Sequence, residues 1–129
     1  VFRLPALSAS VADARGRVRA RLREWGLGAE LRDDACLVVT ELFTNAVRHT
    51  DSEKITCALH DAGLVIRLEV TDQGCGDRDP VPYAAQDDEE GGRGLLLVSV
   101  LAAAWGSDPA AEGTGRVVWA ELAVHRPPC

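Results

Sequence analysis

Glu41, Asn45, Arg48 and His49 fall within one short run, Glu41-Leu-Phe-Thr-Asn-Ala-Val-Arg-His49. Steps of four between Glu41, Asn45 and His49 put a carboxylate, an amide and an imidazole along one edge of any helix that forms there. Magnesium is a hard cation that prefers oxygen ligands and takes few of them from protein, leaving the rest to phosphates and water. The Asn45 side-chain oxygen suits that role. A glutamate one turn earlier can orient or deprotonate an attacking hydroxyl, and Arg48 can reach phosphate oxygens. Each residue alone also fits a plainer reading: an exposed glutamate, an asparagine bonded to a neighbouring loop, an arginine in solvent.

Two further pieces follow in order. Asp72-Gln-Gly74-Cys-Gly76 ends an apolar strand in an acid and two glycines. The carboxylate can accept a hydrogen bond from an exocyclic amine such as that of adenine, and Gly74 and Gly76 let a ring approach the backbone closely. An acid followed by glycines is equally an ordinary turn. Gly92-Arg93-Gly94-Leu95 opens a helix with glycines, where unpaired N–H groups and the helix dipole favour phosphate. Base, metal and phosphate functions thus occur in one chain, in that order, with a segment at 77–91 between them that reads as a lid.

The elements that must position these groups follow from periodicity. Val1 to Leu7 reads as a short edge strand. Ser8 and Ser10 offer N-caps to a helix whose apolar stripe is Val11, Ala14, Val18, Leu22 and Trp25, with Asp13 completing a capping box. Gly26 and Gly28 stop it, and Gly16 weakens its middle. A second helix spans about Ala29 to Arg48 on the stripe Leu31, Ala35, Val38 and Leu42, with Glu41, Asn45 and His49 along its border. A purely structural helix gains nothing from polar groups beside its core. Ile55, Cys57 and Leu59, then Leu64, Ile66, Leu68 and Val70, alternate with more polar neighbours around Asp61-Ala62-Gly63, the pattern of an antiparallel hairpin. A third helix is expected over Leu95 to Ala104, ending near Gly106, and a last strand over Val117 to Val124. The expected fold is α+β: a two-layer sandwich with helices on one face of a mainly antiparallel sheet.

Composition narrows the function. The chain has 129 residues and is 47% hydrophobic, which fits one domain at 1–129. It begins at Val1 and contains no methionine, the mark of a trimmed or excised start. Its longest apolar run, Leu95 to Trp105 broken by Ser99, is shorter than the roughly 20 residues of a membrane span. No leader is visible, so the expected location is cytoplasmic, without membrane. Cys36, Cys57, Cys75 and Cys129 lie too far apart for a zinc motif and read as free thiols. Of the net charge of −6, a share of −5 lies between Asp77 and Glu90, where six acids face Arg78. Nucleic acid is therefore not an expected partner. Arg15, Arg17, Arg19, Arg21 and Arg23 crowd the first helix, as a solvated face or as a docking surface for an acidic protein.

Taken together, these residues resemble the GHKL, or Bergerat-fold, ATPases, and among them the small bacterial anti-sigma-factor serine kinases. Glu41 to His49 looks like the N box, Asp72 to Gly76 like the G1 box, and Gly92 to Leu95 like the G2 box. The Arg-rich first helix ending in Trp25-Gly26-Leu27 is similar to this branch too. The resemblance implies ATP and Mg2+ as ligands, Asn45 on the metal, Asp72 on the adenine amino group, the stretch around Arg93 and Gly94 on the triphosphate, and Glu41 as catalytic base. It implies a kinase that phosphorylates an antagonist protein and sequesters a sigma factor or similar regulator, in a family that often forms homodimers. Where many relatives place a threonine in a Gly-Lys-Thr-like run, this chain reads Gly115-Arg116-Val117, so base recognition is weakened unless Thr114 substitutes. Val117 therefore supports a rival reading, a non-catalytic module that binds nucleotide, or none, and acts through protein contacts. A catalytic domain cut from a larger phosphatase or sensor is a third.

Overall fold

The computed structural model describes residues 1–48, 53–72, 97–109 and 115–124. Its elements run β1 (Phe2–Pro5), α1 (Ser10–Glu24), α2 (Ala29–Arg48), β2 (Lys54–Asp61), β3 (Val65–Asp72), β4 (Ala104–Pro109) and β5 (Arg116–Ala123). The strands form one five-stranded sheet in the order β1-β2-β3-β5-β4, and every neighbouring pair is antiparallel. Both helices pack on one face of it, the α+β sandwich that periodicity predicts.

Alternation decides which face each side chain takes. In β3 the buried residues are Ile66, Leu68, Val70 and Asp72, and in β5 they are Val118, Ala120 and Leu122. Against them α1 sets Ala14, Val18 and Leu22, and α2 sets Val38, Val39, Leu42 and Phe43, all fully buried. Each large apolar side chain removed from water in this way contributes about 1.5–3 kcal/mol, and their contiguity fixes α2 across β3 and β5.

Local chemistry sets the helix ends, not always as expected. α1 stops in a Schellman motif: Gly26 N–H donates to the Arg23 carbonyl at 3.0 Å and Leu27 N–H to the Leu22 carbonyl at 3.0 Å. Gly26 sits at φ 75°, a left-handed conformation that only glycine adopts without strain. At the other end neither Ser8 nor Ser10 caps the helix. Ala9 occupies the N-cap, already helical at φ −64° and ψ −20°, with no side-chain hydrogen bond. Backbone turns replace the cap, Ser10 N–H donating to the Leu7 carbonyl and Val11 N–H to that of Ser8. Asp13 pairs with Arg17 at 3.0 Å instead of closing a capping box.

Two other expectations are corrected. Helical residues in the third segment end at 101, and Ala104–Pro109 forms β4, an edge strand. Its sequence carries no apolar alternation, because pairing to β5 and not burial holds it in place. Leu64 belongs to the hairpin turn and is 84% exposed, not part of the apolar row of β3. There Gly63, at φ 87°, donates its N–H to the Asp61 carboxylate at 3.0 Å.

Candidate functional site

Four of the residues singled out above lie in the described regions: Glu41, Asn45, Arg48 and Asp72. His49, Gly74, Gly76, Gly92, Arg93, Gly94, Leu95 and Thr114, together with the 77–91 segment, lie outside them.

Asn45 is buried more deeply than a border position. It follows Ala35, Val38 and Leu42 at helical steps and is 8% exposed, a polar residue inside the apolar stripe of α2. Its Nδ2 is buried and has no hydrogen-bond partner among the described residues. A buried polar group left unpaired costs about 1–3 kcal/mol. Such a cost is tolerated where something else supplies the partner. The two ends of a primary amide occupy nearly the same space, so a half-turn puts the carbonyl oxygen where the orphaned nitrogen stands. That is the atom magnesium needs.

Asp72 is the last member of the buried β3 row, in phase with Ile66, Leu68 and Val70 and 7% exposed. Its carboxylate thus lies on the helix-covered face, where a carboxylate needs a partner to be stable.

Topology brings these two groups to one end of the sheet. Only residues 49–53 intervene between α2 and β2, so the Asn45 end of α2 leads directly to Lys54. Thr56, near the start of β2, pairs with Thr71, beside Asp72 at the end of β3. Glu41 lies one turn before Asn45, is half-buried, and forms no hydrogen bond or ion pair with a described residue. Arg48 closes α2 and is exposed. An amide nitrogen and a carboxylate, both without a partner among the described residues, and a buried aspartate thus share one end of a sandwich. The donor and acceptor set fits a magnesium nucleotide: oxygen for the metal, a carboxylate for an exocyclic amine, a base for a hydroxyl.

The sequence matches the family described as the histidine kinase-like ATPase domain over residues 4–122. The chain belongs to this family. As a GHKL-type domain it is an ATP-binding module, in a family that takes ATP, usually with Mg2+. The match spans both helices and nearly all of the sheet, and so covers Glu41, Asn45, Arg48 and Asp72. No curated protein matches the chain.

Within this ATPase domain, register assigns the two residues of the Arg116-Val117 pair to opposite faces of the sheet. Val117 pairs with Thr71 and shares a face with Trp119 and Glu121, the side of the sheet opposite Asp72. Its lack of a hydroxyl is thus a feature of the uncovered face. Arg116, by contrast, lies directly across from Asp72 and in phase with Val118, Ala120 and Leu122. Its Nε donates to Ser107 Oγ at 2.8 Å, which fixes a guanidinium at the Asp72 end of the sheet. The signal for Arg116 was its place in the β5 alternation.

The two described cysteines, Cys36 and Cys57, are inert by comparison. Burial pushes the Cys57 thiol up to about 12, and burial raises that of Cys36 as well, so neither offers a thiolate at neutral pH. No helix among the described residues is long and apolar enough to cross a membrane.

Proposed function

We propose that this ATPase domain is a serine/threonine protein kinase of the anti-sigma-factor type. It phosphorylates an antagonist protein and, when free, sequesters a sigma factor or similar regulator in the cytoplasm. The observation that carries the reading is Glu41, a half-buried carboxylate without a partner among the described residues, one turn from the buried Asn45 amide. A module that only binds nucleotide has no use for an acid there.

Bound Mg-ATP supplies the phosphoryl group. Asn45 would give the metal an oxygen, Asp72 would accept from the adenine amino group, and Arg48 would meet phosphate oxygens. His49, Gly74, Gly76, Gly92, Arg93, Gly94, Leu95 and Thr114 would complete the pocket. Glu41 accepts the proton of the acceptor serine hydroxyl as its oxygen attacks. On α1, Arg17, Arg19 and Arg21 are ion-paired with Asp13, Asp33 and Glu24, whereas Arg15 and Arg23 form no ion pair among the described residues. These two cations support an acidic protein partner on that face. The non-catalytic alternative drew on Val117, whose side chain is turned away from Asp72.

Incubation with Mg-ATP and the cognate antagonist, wild type beside Glu41→Ala, tests the kinase reading. Glu41→Ala is expected to keep nucleotide affinity and lose phosphate transfer by about 10²–10⁴-fold. Equal transfer by both forms removes Glu41 from the mechanism.

A further inference from the structure

At the end of the sheet opposite Asp72, a cleft of about 710 Å3 opens between the first turns of α2, residues 100–103 and the last residues of β5. Leu31, Leu101, Leu122 and Val124 give it apolar wall segments among polar ones, and among the described lining residues the ionisable side chains are Glu30 and Asp34. The apolar surface continues beyond the cleft: Val100 at its rim is 72% exposed, and Leu37, in line with Glu30 and Asp34 along α2, is 48% exposed. Glu30 lies in the first turn of α2, where the helix dipole favours an acid. Asp34 lies beyond that turn, so the dipole does not account for it.

The walls are held in place by the chain itself. Ala102 N–H donates to the Val98 carbonyl at 2.8 Å, Ala103 N–H to that of Glu121 at 2.7 Å, and Val124 N–H to that of Leu64 at 2.9 Å. On the other side Arg32 Nη1 donates to the Leu27 carbonyl at 2.8 Å. Val98, completely buried, anchors the helical turn at 97–101. A cleft built this way keeps its shape without a ligand, which lowers the cost of binding one.

We infer that this cleft is a docking groove for an amphipathic basic helix of a partner protein, one that presents an apolar stripe flanked by lysine or arginine. Charge complementarity selects the cation, since the described residues lining the groove include two carboxylates and no base. The architecture selects the helix. β3 pairs with β5 through Ala123 while β4 pairs only as far as Glu121, and α2 with the 97–101 turn bounds the space beyond as a groove of the helix-in-groove type. The inference is independent of the kinase reading and is tested without nucleotide.

The probe is a synthetic amphipathic helix of leucine and lysine, titrated by fluorescence anisotropy, with a leucine and glutamate peptide as control. Saturable binding is expected for the lysine peptide only. Glu30→Gln with Asp34→Asn, and separately Val100→Lys at the exposed rim, should each weaken it at least about tenfold. Asp13→Asn with Glu24→Gln changes net charge equally on the outer face of α1 and should leave affinity unaltered. Equal weakening by the α1 pair, binding of the glutamate peptide, or full affinity in Val100→Lys overturns the proposal.

Discussion

The two faces of the sheet treat polar groups in opposite ways. On the uncovered face, Arg67 bonds to Glu69 at 2.8 Å and to Glu121 at 3.1 Å, and its guanidinium stacks 4.3 Å over the Trp119 ring. His60 lies 3.4 Å from Glu69, and the Trp119 indole donates to Asp108 at 3.0 Å. Charge is dense there, yet each of these groups finds its partner within the chain. On the covered face polar groups are few, but Asn45 is left with an unpaired donor and Glu41 with no partner among the described residues. On the function proposed above, the unmet hydrogen bonding at Asn45 and Glu41, and not density of charge, marks the ligand site, whereas the other buried unpaired atom among the described residues, Arg32 Nε, lies at the far end of α2.

The sharpest way to break that contrast is Asn45→Leu. Removing an interaction with a charged ligand should lower Mg-ATP affinity by about tenfold to a hundredfold, since such hydrogen bonds contribute about 1.5–3 kcal/mol. Because the buried amide nitrogen has no partner among the described residues, the same change should raise stability by about 1 kcal/mol in denaturant unfolding without nucleotide. Loss of both affinity and stability would make Asn45 a structural residue.

Gly106→Ala tests the uncovered face. A Cβ at Gly106 would stand 2.7 Å from Cζ2 of Trp119, so the indole must move off its Arg67 and Asp108 contacts. Overpacking of this kind costs about 1–3 kcal/mol, and nucleotide affinity should not change. Arg67→Ala should cost about 1 kcal/mol by leaving Glu69 and Glu121 together without their shared cation, again with ATP binding intact. Altered nucleotide affinity in either variant would mean that the two faces are coupled.

The same network sets an acid limit. Burial pushes the Glu69 carboxyl up, but the Arg67 hydrogen bond and the charges of His60 and Arg67 outweigh it and hold the group below its ordinary 4.5. A carboxyl depressed on folding contributes stability that is complete above pH 4.5 and lost as the pH falls through the folded value. Glu69→Gln should therefore flatten the acid limb of a stability profile and leave the neutral region nearly level. The smallest effect is expected at Gly16, exposed in mid-helix with open space around its Cβ position, where Ala should stabilise by about 0.5–1 kcal/mol.

Much of this was legible in the sequence, for reasons tied to particular residues. The stripes of α1 and α2 survive because helix burial depends on local spacing, and the phase of Asp72 with Ile66, Leu68 and Val70 was visible in the strand alternation. β4 was not legible, since Ala104 to Pro109 owes its conformation to β5 rather than to its own side chains. The α1 N-cap failed because backbone turns at Leu7 and Ser8 do the work expected of a serine hydroxyl. Of the candidate site, residue types and phase within each strand could be read, but not which face of β5 lies with Asp72. That Arg116 faces with Asp72 while Val117 faces away follows from the pairing of β3 with β5, which joins strands not adjacent in sequence.

The central claim is that Asn45 and Asp72 serve one nucleotide site while the uncovered face does not. A nitrogen-resolved NMR titration with Mg-ATP tests it residue by residue. The Asn45 side-chain amide and the Asp72 backbone amide are predicted to shift along one common saturation curve, with the Trp119 indole N–H unmoved. A stationary Asn45 amide, separate curves for the two residues, or a Trp119 signal that moves in their place would contradict it.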